Sequence, residues 1–258
     1  MESSYKPILF DAPRELGDIE IYFLHDIHVG AAEFDEKRFE RLKKMILSED
    51  NRYVAWLGDV LNNAIPGSKT EMFDQKLSPH EQKEWFCDQL RDFDGRTLLV
   101  VPGNHEYNRT TRAAGLFPLY DCCARVQQEE IYRSEFAVLD VGVGIRRRDK
   151  TQQNRYVGYC VHQARDMKSF GSVDWVDGID WFAFGHDHDP KSHPRGKLYY
   201  DTTRKTLSRR DIEVVNSGSF LTFGGYGAKG GYRPQSSRMF HLTLGGDERI
   251  CTSHSYSV

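Results

Sequence analysis

No stretch of this 258-residue chain is apolar for anything near the ~20 residues that a membrane-crossing helix needs. The opening Met1-Glu2-Ser3-Ser4-Tyr5-Lys6-Pro7 lacks the apolar segment of a secretory leader. Cysteine is scarce and oddly counted: five residues, with no Cys-x-x-Cys pair. That argues against a disulfide framework and a structural zinc site, and points to a reducing, cytoplasmic compartment. Strong charge of either sign is missing too. The formal net charge is −3, so bulk electrostatics advertise neither a membrane nor a nucleic-acid partner, and any attraction for an anion must be local. No Pro/Ser/Gly linker and no internal repeat divides the chain, which is therefore read as a single domain over 1–258. What is present, 39% hydrophobic and 12% aromatic residues, excludes disorder and suffices for a large core.

Up to about residue 128 the pattern alternates strand and helix. Phe34, Phe39, Leu42, Met45 and Ile46 fall on one face of an amphipathic helix spanning 34–47. Ser78-Pro79 with Glu81 forms a capping box that opens a second helix; Trp85, Phe86 and Leu90 form its apolar face, and Asp94-Gly95 ends it. A third helical stretch runs over 110–126 with a break at Pro118. This alternation predicts a mainly parallel sheet covered by helices. After residue 130 short runs follow one another, at 135–145, 155–161, 180–184, 197–201, 211–216, 238–244 and 249–254, with one weak helical segment after His162. They predict a second sheet with antiparallel character. The fold class expected is α/β, with two stacked sheets.

Seven residues stand where apolar runs give way to loops: Asp26, His28, Asp59, Asn104, His162, His186 and His188. In open α/β sheets the site lies beyond the carboxyl ends of the strands. Asp26 and His28 are two apart on what reads as an extended end, which would point both side chains one way, and His186 and His188 repeat the spacing. Gly58 before Asp59 permits close backbone approach. Oxygen and imidazole donors without a thiolate suit hard-to-borderline divalent ions; Mn²⁺, Fe²⁺, Zn²⁺ and Ni²⁺ all fit. With one carboxylate bridging, the set supplies two ions with four protein bonds each, the makeup of a two-metal hydrolytic site.

Asp26-x-His28, Gly58-Asp59, Gly103-Asn104-His105-Glu106, His162 and Gly185-His186-Asp187-His188, in this order, resemble the signature of the calcineurin-like metallophosphoesterase superfamily. Val214-Val215-Asn216-Ser217-Gly218-Ser219 resembles the strand and turn that follow its last metal motif, so the motifs span about 19–220, with further strands over 236–256. The resemblance implies a four-layer α/β/β/α sandwich of two mixed sheets flanked by helices. It implies that Asp26, His28 and His188 hold one ion, that Asn104, His162 and His186 hold the other, and that Asp59 bridges. It makes His105 the group facing the substrate phosphate and the general acid, and favours Mn²⁺ as the activating ion.

The implied function is hydrolysis of a phosphoester. Gly58-Asp59-Val60-Leu61-Asn62-Asn63 lacks the arginine-bearing motif of phosphoprotein phosphatases in the superfamily, and a phosphodiesterase acting on nucleotides or nucleic acid is the leading expectation. A phosphomonoesterase or pyrophosphohydrolase on a small substrate is the alternative, and a non-catalytic protein-binding scaffold of the same fold is a third. Around the site, Arg109 and Arg112 could clamp a phosphate, together with Asn104. Arg146-Arg147-Arg148, Arg204-Lys205 and Arg209-Arg210 are local basic clusters that could track a polyanion. Tyr226, Lys229, Tyr232 and Arg233, in a glycine-rich loop over 217–234, could stack a base or close over substrate. His25, outside the motif, reads as strand packing or as a support for the site; Glu33, Asp35 and Asp189 read as solvated charges or caps.

Overall fold

The computed structural model describes the chain apart from residues 67, 69–71, 146–151, 164–175 and 232, and apart from the side chain of residue 226. The basic triplet Arg146–Arg148, the helical segment expected after His162 and Tyr232 therefore lie outside the described residues. In chain order the elements are β1 (Ile8–Asp11), β2 (Asp18–Leu24), α1 (Glu36–Leu47), β3 (Arg52–Leu57), α2 (Pro79–Asp92) and β4 (Thr97–Val101). Helical turns over 104–114 and a helix at Pro118–Arg125 come next. Then come β5 (Phe136–Val143), β6 (Asn154–Val161), β7 (Trp181–Phe184), β8 (Lys191–Asp201), β9 (Thr206–Asn216), β10 (Arg238–Gly245) and β11 (Cys251–Ser257).

Local chemistry sets the helix ends. Asp35 caps α1, its Oδ1 accepting from Arg38 N at 3.0 Å, while Phe34 is held outside the helix by a bridge to Leu221. The helix thus starts two residues beyond the apolar pattern, and buries Phe39, Leu42 and Ile46. Ser78 and Glu81 make the expected reciprocal capping box on α2, with Pro79 at its first turn. The break in the third stretch falls at Gly115, whose φ of 67° a side chain would resist, three residues before the helix beginning at Pro118.

Two mixed sheets result. One has the order β11-β10-β2-β3-β4, the other β1-β5-β6-β7-β9-β8. β2, β3 and β4 are mutually parallel, as the alternation predicts. The second sheet differs from its antiparallel expectation: β5/β6 and β8/β9 are antiparallel, but β6, β7 and β9 run parallel. The C-terminal strands do not extend that sheet. They return to the first, where β10 pairs antiparallel with β2, and the N-terminal β1 crosses to the second beside β5.

The sheets share one core. Ile21, Phe23, Ala55, Leu99 and Val101 of the first pack with Leu139, Val141, Tyr156, Trp181 and Val215 of the second. Gly158 is required there, because a Cβ would land in the indole ring of Trp181. The outer face of the first sheet is covered by α1, α2 and helix Pro118–Arg125 through Phe39, Leu42, Phe86, Leu90, Leu119 and Cys123. The outer face of the second carries its own cluster around Phe182, Phe184, Ile212 and Val214. Among the described residues no helix is long and apolar enough to cross a membrane.

The cysteine reading needs one correction. Cys87 on α2 and Cys122 on the helix Pro118–Arg125 form a disulfide, with Cα atoms 5.0 Å apart, while Cys123, Cys160 and Cys251 are free. An odd total conceals a single pair, and a reducing compartment no longer follows from the cysteines.

Candidate metal centre

The seven strand-end residues and His105 reach one place because three parallel strands of each sheet end there. Asp26 and His28 follow β2, Asp59 follows β3, Asn104 and His105 follow β4, His162 follows β6, and His186 and His188 follow β7; Asn216 ends β9 beside them. The loops behind β2 and β3 continue the parallel pairing: Asp26 N donates to Gly58 O at 3.1 Å, His28 N to Asp59 O at 3.0 Å and Val29 N to Val60 O at 2.8 Å.

Asp26 and His28 are not on an extended strand end. Their φ angles are 49° and 50°, and Asp59 and His186 are likewise left-handed at 48° and 67°. Each such non-glycine residue costs on the order of 1–3 kcal/mol, and such strain persists where surrounding bonds dictate it. Here Glu106 helps dictate it. One of its carboxylate oxygens accepts from Asp59 N at 3.0 Å and Gly103 N at 2.8 Å, and the other from Leu61 N at 2.9 Å. Burial and the neighbouring Asp59 charge raise its pKa to about 7, against the lowering effect of the Leu61 and Gly103 amides. Gly58 and Gly103 press back to back, and a Cβ on either would strike the other's loop.

Among the described residues three donor groups meet at this point, Asp26–His28–His188 and Asp59–His162–His186 on either side and His28–Asp59–His105 between them. In the first, His188 Nε2 lies 3.3 Å and His28 Nε2 3.7 Å from Asp26 Oδ1, and the two imidazole nitrogens are 3.4 Å apart. In the second, His162 Nε2 lies 3.4 Å from Asp59 Oδ2 and 3.2 Å from Asn104 Oδ1, and His186 completes the group. Asp59 Oδ2 is also 4.0 Å from His28 Nε2, so it touches both clusters. The carboxylates are 0% and 1% exposed.

The donor set fits a pair of cations in a specific way. Asp26 Oδ2 is fully used, accepting from His186 N at 2.7 Å and meeting His25 Nδ1 at 2.7 Å. Ser217 N donates to His25 Nε2 at 3.1 Å, which leaves the imidazole proton on Nδ1 and aims it at Asp26. Asp26 Oδ1, buried, has no hydrogen-bond partner. A carboxylate oxygen left bare in a dry site needs a cation or proton. His162 is set similarly, its Nδ1 donating to Leu57 O at 2.6 Å so that Nε2 faces the centre. Burial opposes charge on His162, but the adjacent Asp59 outweighs it and raises the pKa to about 10. Burial would likewise raise Asp59; the imidazoles of His162 and His105 instead hold it below the usual carboxylate range.

His105 stands in the group between these clusters. Its backbone N donates to Asp59 Oδ1 at 2.7 Å, and its ring Nε2 is 3.7 Å from Asp59 Oδ2. Arg109 donates to that Nε2 at 3.0 Å, so the ring's proton sits on Nδ1, 2.9 Å from the acceptor Asn62 O and 3.2 Å from His28 Nδ1. Burial, then the nearby His28, lower its pKa to about 3. Of the two arginines singled out in the sequence, Arg109 is half-buried and bonded here, also to Asn62 O, while Arg112 is exposed. Sequence reading missed the Asn62 carbonyl, because a main-chain acceptor has no residue signature. It also left Glu106 without a task.

The first sheet's tips alone would give half a site; the arrangement needs both. A family model for calcineurin-like phosphoesterases matches residues 19–215, a span containing Asp26, His28, Asp59, Asn104, His105, His162, His186 and His188. Among curated proteins the chain is similar to a DNA polymerase II small subunit of Methanocaldococcus jannaschii, with 28% identity over 105 residues that cover 34% of this chain and 17% of that one. With the match running through both sheets and their shared centre, the chain belongs to the calcineurin-like phosphoesterase family.

Proposed function

We propose that this protein is a dinuclear metal-dependent phosphodiesterase acting on nucleotides or nucleic acid. The observation that carries the reading is Asp26 Oδ1, buried, without a hydrogen bond and faced only by the ring nitrogens of His188 at 3.3 Å and His28 at 3.7 Å, with Asp59 Oδ2 spanning to the second cluster. Asp26, His28 and His188 would hold one cation and Asn104, His162 and His186 the other, with Asp59 shared between them and Mn²⁺ the favoured ion. Such a pair, when bound, activates water and neutralises two phosphoryl oxygens.

The chain's own groups do the rest. His25, Glu106 and Leu57 O orient the donors, so little reorganisation accompanies substrate binding. His105 is neutral in this arrangement and presents Nε2 toward the centre. An incoming phosphate anion favours uptake of a solvent proton at Nε2, and the resulting imidazolium gives that proton to the leaving oxygen and returns to the neutral ring. Arg109, now on His105 Nε2, is within reach to move its guanidinium onto a phosphoryl oxygen and free that nitrogen. The similarity to a DNA polymerase subunit supports a nucleic-acid or nucleotide substrate.

The test is a screen of aryl and alkyl phosphodiesters, phosphomonoesters, cyclic nucleotides, dinucleoside polyphosphates and DNA, with and without Mn²⁺. Diester turnover that chelation abolishes and Mn²⁺ restores is the expected outcome. Turnover confined to monoesters or pyrophosphates would replace the diesterase reading, and metal binding without any turnover would favour a scaffold.

A further inference from the structure

The hairpin β8–β9 does more than complete a sheet. β9 pairs with β7 only over Glu213–Val215, whereas β8 and β9 stay paired from Lys191↔Asn216 to Asp201↔Thr206. Beyond Ile212, Lys197 still reaches Val176 O and Asp177, and past it the two strands are exposed. Every residue from Thr202 to Asp211 is exposed, as are Gly196 and Leu198–Tyr200 on the facing strand. A two-stranded ribbon with both faces in water is marginal unless something covers it.

Its side chains say what that cover is. By register Leu198, Tyr200, Leu207 and Arg209 share one face, and Leu198, Tyr200 and Leu207 are 74%, 53% and 62% exposed. Lys197, Tyr199 and Arg210 share the other face, where the Arg210 guanidinium lies 3.8 Å over the Tyr199 ring. Arg204 and Lys205 stand at the tip, where Asp201 accepts from Thr203 N and Arg204 N, each at 2.9 Å, and fixes the turn. Of the five cations here, Lys197 lies 3.9 Å from Asp177 and Arg209 pairs with Asp211 at 3.1 Å, while Arg204, Lys205 and Arg210 stand with Asp201 at the exposed end, an excess of positive charge in a chain of net charge −3.

We propose that this ribbon is a docking arm for duplex nucleic acid, inserted into a groove. Cations lie on both faces and at the tip, which matches a groove with a phosphate wall on each side; a protein surface would meet one face. A two-stranded ribbon is the right width for the major groove, and apolar side chains can contact base edges there. A second copy is a poorer occupant, because like-charged arms repel and the apolar stripe is only three residues long. β9 runs toward the metal centre and ends there at Asn216, so the tip, ten residues back, lies ~33 Å away at the strand rise. The arm therefore binds duplex far from the scissile bond, whatever phosphoester the centre cleaves.

The experiment measures anisotropy of a labelled 20-bp duplex with the full chain in EDTA, so that binding is read without hydrolysis, against rising salt. The expected result is binding whose salt slope shrinks by about 3–4 in the Arg204→Gln/Lys205→Gln/Arg209→Gln/Arg210→Gln variant, since each phosphate contact contributes ~0.9. Duplex affinity should fall at least tenfold at moderate salt, while turnover of a small aryl ester with Mn²⁺ stays unchanged. A Leu198→Ser/Leu207→Ser variant should weaken the duplex while leaving the salt slope intact. Absence of duplex binding, or an unaltered slope in the charge variant, overturns the proposal. So does equal binding of poly-glutamate of matched charge, which would assign the arm to an acidic protein.

Discussion

Asp59 joins two clusters of donors through one carboxylate and through the backbone of His105, so replacing its charge should be felt on both sides. Asp59→Asn is expected to lower metal stoichiometry at both positions and to remove nearly all turnover. Elemental analysis that finds full loading with normal activity would reject the bridge. His105 acts differently. His105→Ala should keep the metal and lose turnover by ~10²–10⁴-fold, less for aryl than for alkyl leaving groups, since good leaving groups need no proton. His25 makes no contact with the open face of Asp26, yet His25→Ala should reduce metal affinity by ~10–100-fold, as loss of outer partners of ligands does; equilibrium dialysis with Mn²⁺ measures it. Protonation gives a fourth expectation. His162 has its pKa raised from 6.5 to about 10 in the metal-free fold, chiefly against burial by Asp59. The stabilisation from that raised pKa is complete below pH 6.5 and is lost as pH rises toward 10. Melting of the chelated protein should therefore drop over that window, and metal affinity should rise across it because His162 must release its proton to bind. A flat melting profile would show that the pair with Asp59 is not formed.

At the scale of elements, the capping of α2 was legible from Ser78-Pro79 and Glu81 because a cap is settled by atoms three residues apart. Ser78→Ala should cost about 1 kcal/mol in chemical denaturation and leave turnover untouched, given that the cap is exposed and remote in sequence from any ligand. The other end of α2's influence was not legible. Gln82 is fully buried, its amide oxygen accepting from Asn63 N at 2.9 Å and its nitrogen donating to Leu77 O at 2.8 Å. It thereby supports the segment from Asp59 to Asn63, whose Asn62 carbonyl sets the His105 tautomer. Nothing in a helical pattern marks Gln82 as buried, because only the neighbouring loop supplies its partners. The same holds for Arg109, read from the sequence as a phosphate clamp and found holding His105 and Asn62.

Across the whole molecule, the site exists only while two sheets remain face to face. Ile21, from the first sheet, is fully buried against the second. Ile21→Ala should cost ~2–5 kcal/mol, a large part of the 5–15 kcal/mol typical of a domain. A lower urea midpoint at unchanged slope is expected. The pairing of sheets also explains why the edges of the fold were misread from the sequence. Periodicity showed where β10 and β11 lie, but their place beside β2 rather than in the second sheet depends on which edge was free.

The sequence by itself determined the donor residues, their order and their position at strand ends, because short apolar runs followed by Asp, Asn or His are local features. It likewise determined α1, α2 and the parallel succession β2–β3–β4, whose signals lie within a few residues. Tertiary structure alone decided that β6, β7 and β9 run parallel, so that His162, His186 and His188 meet Asp26 and Asp59. It decided the left-handed backbone of Asp26, His28, Asp59 and His186, which an i,i+2 spacing on an extended strand does not foresee. And it decided the union of Cys87 with Cys122, and of Ser217 with His25, since contacts between residues far apart in the chain depend on packing that no local pattern encodes.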